Sequence, residues 1–365
     1  MKSRFQVQRR RKEKCRIWRS VGLAAVPLAR PAWKLALLGG LILGSSLLSG
    51  CKAPGEEKEP METVGNLPEE ETKSSGDPLE GGYQTVLWQG EEYSYNAHLS
   101  NFLFLGIDTR ETEETQTGMA DAGQADALYL VSFDRVDGDL ALISIPRDTM
   151  TQIEVFDRAG QSLGMTEQHI SLSYGYGDGS YGSLELSEEA VENLFYGLPV
   201  QSACAMSLDG IPVLLESFGD VAVTVPNGSL AEEYPEFQEG AEAVITSKNA
   251  EAFLRWRDID KTQSAIDRME RQQAFLQGFG QTAASRYADN PEGLLAVYED
   301  LAPYLVSTVG EEWLLKMAES YLAGAPVTEW TVPGEGVPGE PFDEYRVDDS
   351  AFYEKIIETF YEKEE

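Results

Sequence analysis

The chain has few cysteines and histidines, three and two respectively among 365 residues. Cys15, Cys51 and Cys204 cannot form the disulfide framework that stabilises many small secreted domains. The same scarcity disfavours a zinc site of the cysteine and histidine kind, because His98 and His169 lie far apart in the sequence. Cys204 falls in an apolar segment, a pattern that favours a small core residue over a reactive thiol.

Basic residues are also scarce, with 29 Lys and Arg against 62 Asp and Glu and a formal net charge of −33. Residues 1–50 hold 11 of the basic residues and one acidic residue. The remaining 315 residues therefore carry 18 basic and 61 acidic side chains, a net charge of −43. A body this acidic lacks the clustered cations that bind nucleic acid, so we expect no nucleic-acid partner. Against this background local groups of arginine stand out, and phosphate is a natural ligand for them.

The apolar run at residues 35–50 is 16 residues long, shorter than the about 20 residues that cross a bilayer. It follows a basic stretch, and the two together are typical of an export signal peptide at residues 1–50. The run ends in Leu48-Ser-Gly-Cys51, which resembles a bacterial lipoprotein box and predicts acylation of Cys51. The alternative is an uncleaved signal anchor with an incidental cysteine. Either arrangement places the residues after Cys51 outside the cytoplasm.

The remaining chain divides into a tether and an ordered body. Residues 51–82 are acidic, rich in proline, glycine and serine, and almost free of large apolar side chains, which predicts a disordered linker. From residue 83 onward, apolar runs that predict strands alternate with segments that predict helices. This alternation indicates one layered α/β domain with a mixed central sheet flanked by helices.

The predicted elements of this body are bounded by glycine, proline and charged clusters. Two of the predicted strands, 127–133 and 140–145, are separated by a turn at Asp137-Gly138, which predicts a hairpin inside a larger sheet. Ser187 is predicted to cap one helix, while Ser264 is predicted to begin another with a capping box that includes Asp267. The predicted strands are 102–106, 127–133, 140–145, 200–207, 221–225 and 327–332, and Pro-Gly turns are expected at 333–339. The predicted helices are 187–196, 211–218, 247–256, 264–284, 291–300, 310–323 and 349–362.

Aspartate and arginine concentrate at the ends of the predicted strands and on two helices. Asp108 and Arg110 follow the first strand, Asp126 precedes the second, and Arg147 follows the third. Ligands of open α/β sheets commonly bind at such strand ends. A predicted helix ends in Arg255 and is followed by Arg257, and the next helix carries Arg268, Arg271 and Gln272. Arg268 and Gln272 are separated by four residues and so share one helix face.

Convergence of these six arginines would create a positive pocket in a negative body. Arginine binds phosphate through two parallel hydrogen bonds, whereas Asp108 and Asp126 would repel it unless a cation lies between them. Mg²⁺, or Mn²⁺ in its place, is held by one or two carboxylates together with phosphate oxygens. The residues therefore indicate a pyrophosphate ligand with a divalent cation. Taken singly, each segment could instead form a surface ion pair or a helix end, where cations are favoured.

Together the segments resemble the LytR-CpsA-Psr (LCP) family of cell-wall glycopolymer ligases. The matching motifs are FLGIDTR at 104–110, QAD at 124–126, SIPRDT at 144–149, RWR at 255–257 and RMERQQ at 268–273. The resemblance covers about 97–285 as a core, and the C-terminal extension 286–365 also resembles the family, so the LCP-like domain is expected to span 83–365. It implies an αβα fold that holds a polyprenyl pyrophosphate, with its lipid tail in a hydrophobic groove and Mg²⁺ at the pyrophosphate.

The resemblance also implies an activity, which is the transfer of a phosphate-linked anionic glycopolymer from undecaprenyl pyrophosphate to peptidoglycan at the outer face of the bacterial membrane. By this likeness Asp108 and Asp126 hold the metal, and Asp108 is also the candidate base, although one group cannot easily fill both roles. Asp108, Arg110 and Arg147 form the expected catalytic set. The expected pyrophosphate-binding set is Arg147, Arg255, Arg257, Arg268, Arg271 and Gln272.

Three positions depart from the family pattern. Gln124 replaces the arginine of a usual Arg-Ser-Asp segment, Ala265 replaces an aspartate, and His169-Ile-Ser171 replaces a Lys-Ile-Asn element. Losing one charged contact to a phosphoryl group can cost several kcal/mol of transition-state stabilisation. Two hypotheses follow, an active phosphotransferase and a degenerate domain that binds polyprenyl phosphate or wall glycan without turnover. The enzyme is favoured if another arginine, such as Arg110, fills the place of Gln124.

Overall fold

The structure is a computed structural model that describes residues 85–110 and 114–364. Its strands are β1 Thr85–Trp88, β2 Glu91–Tyr95, β3 Leu99–Ile107, β4 Ala125–Asp134, β5 Leu140–Ile145, β6 Met150–Phe156, β7 Ser162–His169, β8 Ser202–Met206, β9 Val221–Thr224, β10 Glu242–Ile245, β11 Leu305–Ser307, β12 Val327–Thr331, β13 Gly334–Val337, β14 Glu344–Val347 and β15 Tyr361–Lys363. Its helices are α1 Leu172–Gly175, α2 Tyr181–Leu194, α3 Gly210–Phe218, α4 Ala250–Arg255, α5 Ser264–Tyr287, α6 Gly293–Leu301, α7 Glu311–Leu322 and α8 Asp349–Phe360.

Six strands form the central sheet in the order β11-β8-β3-β4-β5-β12. The pairs β3/β8 and β5/β12 are parallel, while β8/β11, β3/β4 and β4/β5 are antiparallel. The mixed α/β class predicted from the alternating segments is therefore confirmed. The predicted signal peptide at 1–50, the lipidation site Cys51 and the tether at 51–82 lie outside the described residues. In the described ranges no helix is long and apolar enough to cross a membrane.

Alternation along β3 explains how one strand serves two cores. Leu103 and Leu105 point into a large apolar cluster that also includes side chains of α2 and α8. Phe102 and Phe104 point to the opposite face, where Trp313 of α7 packs against them. Successive side chains of a strand lie on opposite faces, so a strand that is apolar at every position must be covered on both sides. This arrangement accounts for the helical layers flanking the sheet.

A third apolar cluster supports the helices that carry the arginines. It is formed by α3, α4, α5 and α6 together with the small antiparallel pair β9 and β10. Phe253 of α4 is fully buried there, and Phe275 of α5 is nearly so. This packing fixes the end of α4 and the beginning of α5 beside the central sheet.

Some sequence predictions need correction at element ends. Ser187 is not a helix cap, because α2 begins six residues earlier, at Tyr181, and the Ser187 hydroxyl is buried within it and donates to the Ser183 carbonyl at 2.8 Å. Helix α5 begins at Ser264 without a capping box: it follows Gln263, whose φ is 61°, and no side chain caps it. Asp267 lies in the first turn, where an acid is favoured by the helix dipole.

Several elements lie in segments for which the sequence pattern predicts no regular structure. Strands β6 and β7 form an antiparallel hairpin. The predicted helix 349–362 is too long by two residues, because α8 ends at Phe360 and β15 begins at Tyr361, where it completes a small sheet with β1 and β2. The expected turns at 333–339 include a strand, β13, which pairs with β14. The side chains at Ser162–Gln168 are exposed or nearly so, and β7 therefore has no apolar alternation by which to recognise it.

Candidate functional site

One edge of the central sheet brings the predicted strand-end residues together. Because β4 is antiparallel to both β3 and β5, the end of β3, the beginning of β4 and the end of β5 share this edge. Asp108 follows β3, Asp126 is the second residue of β4, and Arg147 lies two residues beyond β5. The strand order therefore brings Asp108, Asp126 and Arg147 into one cluster, although they come from three separate sequence motifs.

Asp126 is the centre of an ion-pair cluster. Both of its carboxylate oxygens accept hydrogen bonds from Arg268, at 2.8 and 3.1 Å, and Arg147 also donates to it. The Asp126, Arg147 and Arg268 side chains are only 14%, 12% and 4% exposed. Burial lowers the pKa of Arg268, and the positive charges of Arg147 and Arg257 lower it further, while Asp126 opposes the shift. The cluster thus holds two arginines in fixed positions near a single carboxylate.

Asp108 is held by the segment that carries Gln124. The Gln124 backbone N–H donates to Asp108 Oδ1 at 2.7 Å, and the Gln124 side-chain oxygen accepts from Arg147. Gly123, whose φ is 89°, allows this approach, since a Cβ there would lie 2.6 Å from the Thr109 methyl and 2.9 Å from Asp108 Oδ1. Gln124 therefore orients Arg147 but adds no charge.

A cavity of about 640 Å³, here named the arginine cavity, opens over this cluster. Five basic and three acidic side chains line it, in a chain in which acidic residues otherwise dominate. The structure gives Arg257 no hydrogen bond or ion pair among the described residues, and its guanidinium is available to a ligand. The lining residues are Asp108, Gln124, Asp126, Arg147, Tyr234, Lys248, Glu251, Ala252, Arg255, Trp256, Arg257 and Arg268.

Arg110 does not line the arginine cavity and does not fill the place of Gln124. Its guanidinium pairs with Glu251 at 2.6 Å and with Asp209 at 3.2 Å, and its side chain is 57% exposed. The hydrogen bonds that Arg110 donates to Glu251 and Asp209 raise the pKa of Arg110. The condition that would have favoured the enzyme, an Arg110 side chain in the place of Gln124, is thus not met.

Arg271 and Gln272 also lie away from the arginine cavity. Arg271 is fully buried and donates to the carbonyl of Phe253 at 2.8 Å and to that of Trp256, while Gln272 donates to the carbonyl of Leu254 at 3.1 Å. Burial lowers the pKa of Arg271 to about 10. These bonds satisfy carbonyls at the end of α4 that the helix itself leaves unpaired. Both residues therefore position the Arg255–Arg257 segment.

The two carboxylates fit a cation that shares its ligands with phosphate. Asp108 and Asp126 line the same cavity, and Mg²⁺ is commonly held by one or two carboxylates plus phosphate oxygens. Asp126 would have to relinquish part of its ion pairs to bind a cation, whereas the hydrogen bond described for Asp108 uses only Oδ1. Within the described ranges no group of three or more histidine, cysteine, aspartate or glutamate side chains forms a metal site by itself.

Four lining residues with charged or aromatic side chains are absent from the site predicted from the sequence. Lys248 precedes α4, is exposed, and forms no ion pair with a described residue. Glu251 lines the cavity and forms ion pairs with Arg110 at 2.6 Å and with Arg255 at 3.3 Å. Tyr234 and Trp256 add aromatic surface. Lys248 could have been noticed as an isolated base in an acidic chain, but Tyr234 and Trp256 carry no sequence signal beyond their apolar character.

The fold and the site define a mixed α/β protein with a cavity lined by five basic side chains at the edge of its sheet. The chain belongs to the LytR_cpsA_psr family, whose model matches residues 69–354.

The curated relatives that match are teichoic acid transferases by name. One, "Polyisoprenyl-teichoic acid–peptidoglycan teichoic acid transferase TagU" of Halalkalibacterium halodurans, is 25% identical over 177 residues, 48% of this chain and 51% of the relative. The similarly named TagV of Bacillus subtilis is 26% identical over 181 residues, 48% of this chain and 41% of the relative. The chain thus spans about half the length of the curated relatives it matches.

Two crystal structures from this group are similar in fold. Bacillus subtilis TagV has a TM-score of 0.55 at 20% identity, covering 72% of this chain and 96% of that one. A structure described as TagT bound to LI-WTA has a TM-score of 0.53 at 18% identity, covering 78% of this chain and 97% of that one. At these identities the likeness establishes the fold.

Proposed function

We propose that this protein is an LCP-type phosphotransferase that moves a phosphate-linked anionic glycopolymer from undecaprenyl pyrophosphate to peptidoglycan. The observation that carries the proposal is the gathering of Arg147, Arg255, Arg257 and Arg268 around one cavity with Asp108. The names of the curated relatives support teichoic acid as the glycopolymer class and peptidoglycan as the acceptor. The acidic character of the remaining chain makes the cavity the natural destination for a pyrophosphate.

The four arginines differ in how strongly they are already paired, and the least paired ones can contact the pyrophosphate most easily. Arg257 has no described partner, and the bond between Arg255 and Glu251 is exposed and 3.3 Å long, so both can turn to a phosphate at little cost. Arg147 and Arg268 are held by Asp126 with guanidinium groups at the floor of the cavity. A pyrophosphate oxygen competes with Asp126 for these groups, and bidentate arginine contacts fix the orientation of the phosphorus.

The transfer is a substitution at the phosphorus that carries the glycopolymer. A hydroxyl oxygen of the acceptor sugar forms a bond to this phosphorus, and the bond from phosphorus to the oxygen of undecaprenyl phosphate breaks with its electron pair. The hydroxyl proton passes to solvent. Little covalent chemistry is required of the protein in such a reaction, because positioning and charge neutralisation supply most of the rate. The guanidinium groups provide that neutralisation at the phosphate oxygens.

Asp108 and Asp126 are the residues that would hold Mg²⁺ or Mn²⁺, and the cation would neutralise charge on the phosphate oxygens. We assign the metal role to Asp108 in preference to that of general base, since one carboxylate cannot readily do both. Asp126 then has two roles: it would help to hold the cation, and it positions Arg147 and Arg268 before the ligand binds. Possible pyrophosphatase activity belongs to the same proposal, with water in place of the acceptor hydroxyl.

A specific observation favours a second candidate, a domain that binds the lipid pyrophosphate or wall glycan without turnover. No arginine among the described residues takes the place of Gln124, and both oxygens of Asp126 are in ion pairs. Lys248 restores a positive charge to the cavity wall, which keeps the enzyme the better supported candidate. In either case the proposed location is the outer face of the bacterial cytoplasmic membrane, with a lipid anchor at Cys51 or an N-terminal signal anchor.

The binding half of the proposal is tested by titrating the purified protein with geranylgeranyl pyrophosphate in the presence of Mg²⁺. Arg147→Ala and Arg255→Ala should each weaken binding by about 1.5–3 kcal/mol, as expected for hydrogen bonds to a charged group. Arg158→Ala is the matched control, because Arg158 is exposed in the turn between β6 and β7. Equal affinity in the wild type and both cavity variants would show that these arginines do not form the site.

A further inference from the structure

A second cavity of about 560 Å³ adjoins the arginine cavity. The two cavities share three residues, Gln124, Arg147 and Arg257, which form the wall between them. The other lining residues come from the end of β7 and the beginning of α1, from the 259–262 segment before α5, and from the 341–343 segment before β14. They are Asp148, His169, Ser171, Leu172, Ile259, Asp260, Lys261, Thr262, Pro341, Phe342 and Asp343.

The charge of the second cavity differs from that of its neighbour. Apart from the shared arginines, it has three carboxylates, Asp148, Asp260 and Asp343, and one base, Lys261. With the shared arginines the lining has three cations and three carboxylates, so it lacks the net positive charge of the arginine cavity. Its carboxylates offer several acceptors to the hydroxyl groups of a neutral ligand. The cavity therefore suits an uncharged molecule rich in hydroxyl groups.

The floor of the second cavity contains an unsatisfied hydroxyl. Ser171 is fully buried and lines the cavity, and its Oγ forms no hydrogen bond with any residue that the structure describes. Its backbone is fixed, since its N–H donates to the Arg147 carbonyl at 3.2 Å and its carbonyl accepts from Ala125 at 3.1 Å. A buried hydroxyl without a partner is costly, so Ser171 leaves an unmet hydrogen-bonding demand at the lining of the cavity.

The rim of the second cavity is apolar. Phe342 and Ile259 line it and are nevertheless 70% and 79% exposed. The segment that presents Phe342 is held in place, because His169 Nε2 lies 2.8 Å from the Asp343 carbonyl oxygen and the Gln263 N–H donates to the Asp343 carboxylate at 2.7 Å. An exposed aromatic ring beside carboxylates fits a sugar, whose ring has one apolar face and a polar edge.

We propose that the second cavity binds the acceptor saccharide, an uncharged pyranose chain, while the arginine cavity binds the donor pyrophosphate. This inference rests on the proposed function. The shared residues Arg147 and Arg257 would then lie between donor and acceptor, with the reacting phosphorus at the junction. The acceptor hydroxyl enters from the second cavity, and the polyprenyl phosphate departs into the arginine cavity. Two cavities with one charged wall in common thus provide separate places for attacking and leaving groups.

The test uses chitotetraose, a soluble uncharged oligosaccharide, and geranylgeranyl pyrophosphate as separate probes of the full protein. Phe342→Ala should weaken chitotetraose binding about five- to tenfold, as expected for the loss of an aromatic face. Its affinity for geranylgeranyl pyrophosphate should not change. Asp260→Asn, an exposed change that preserves shape, should also weaken chitotetraose binding. Leu87→Ala is the matched control, since Leu87 is 70% exposed at a distant strand.

In a transfer assay the same Phe342→Ala variant should raise KM for the acceptor and leave KM for the donor unchanged. The inference is overturned if the wild type does not bind chitotetraose, or if both cavity variants bind it as tightly as Leu87→Ala does. It is also overturned if Phe342→Ala raises KM for the donor alone, because the cavity would then hold the donor's own glycan. Failure of the proposed function has a different signature, namely chitotetraose binding by a wild type that does not bind geranylgeranyl pyrophosphate.

Discussion

Gln124 is the residue that most directly separates an enzyme from a binding domain. It stands where the family pattern has arginine, and its side chain accepts from Arg147 and brings no charge to the cavity. Gln124→Arg should raise the rate of glycan transfer about tenfold, because a charged hydrogen bond to the phosphate is worth about 1.5 kcal/mol or more. The measurement is kcat/KM for the donor at saturating acceptor.

Gln124→Lys provides the control for this prediction, since lysine supplies the charge without the two-pronged geometry of arginine. A smaller gain with lysine than with arginine would identify bidentate contact as the missing feature. A fall in kcat/KM in Gln124→Arg would contradict the account and show that the bond from Gln124 to Arg147 is itself needed.

Asp108 and Asp126 should respond differently to loss of charge. Both Asp108→Asn and Asp126→Asn should abolish Mg²⁺-dependent transfer. Asp126→Asn should also lower the free energy of unfolding by about 3 kcal/mol, because it leaves Arg268 buried without its anion and leaves Arg147 with Asp148 alone. Asp108→Asn keeps the oxygen that accepts from Gln124 and should unfold as the wild type does. Denaturant unfolding measures the difference, and transfer that continues unchanged in EDTA would refute the metal assignment.

The sequence predicted that arginines from several distant segments gather at one place. Arg147, Arg255, Arg257 and Arg268 do meet at one cavity with the two aspartates. Arg110 and Arg271 could not be separated from them, because their partners are Glu251 and a set of helix-end carbonyls that come close only in the folded chain. A guanidinium donates equally well to a phosphate, a carboxylate or a carbonyl, and the sequence alone does not distinguish these acceptors.

At the scale of elements, apolar runs predicted the central strands well. Strands β3, β4 and β5 were found within three residues of their observed ends because both of their faces are buried. The sequence does not predict the hairpin of β6 and β7, because most β7 side chains are exposed to solvent. The predicted start of helix α2 is six residues too late, because the buried Ser183 and Ser187 hydroxyls donate hydrogen bonds to backbone carbonyls inside the helix layer. Exposed strands and helices are positioned by hydrogen bonds to distant parts of the chain, and the local pattern of apolar residues carries no information about those bonds.

Helix α2 carries an acidic group with a pH-dependent effect on stability. Burial, together with Glu192 and Glu185, raises the pKa of Glu188 to about 7. In the unfolded chain a glutamate releases its proton near its ordinary pKa of about 4.3, so between there and pH 7 the folded state binds more protons and stability falls as pH rises.

Glu188→Gln should therefore stabilise the protein by about 1 kcal/mol at pH 8, a value reduced for the partial exposure of the side chain. The gain should shrink at pH 5, where Glu188 remains protonated in the folded state. Denaturant unfolding at the two pH values measures the gain, with Glu354→Gln, an exposed change on α8, as the control. An equal gain at pH 5 and pH 8 would mean that the burial of a charged Glu188 is not its origin.

For the whole molecule, the distribution of charge links fold to function. Residues after 50 carry 18 basic side chains, and five of these line the arginine cavity. A small positive region in a strongly negative body attracts anions to one place and discourages their binding elsewhere. The same negative charge would repel the domain from an anionic membrane surface. The proposed lipid anchor would hold the domain at the membrane against this repulsion.

The anchor leads to a prediction at this scale, motivated by the basic stretch, the apolar run at 35–50 and Leu48-Ser-Gly-Cys51. Wild-type protein expressed in bacteria should incorporate radiolabelled fatty acid and appear in processed form. Cys51→Ala should incorporate no label and accumulate as the unprocessed precursor. A wild type that takes up no label would exclude the lipoprotein and leave the signal anchor.

The central claim, that the arginine cavity performs glycopolymer transfer, is tested most directly by mass spectrometry of a reconstituted reaction. The reaction contains the purified protein, Mg²⁺, a short polyprenyl pyrophosphate-linked saccharide and a soluble peptidoglycan fragment. The account predicts a product whose mass equals that of the acceptor plus the saccharide phosphate less one water, accompanied by free polyprenyl phosphate. It predicts loss of both in folded Arg147→Ala. Absence of this product with the wild type and with Gln124→Arg, while the donor remains bound, would contradict the claim and establish a binding domain.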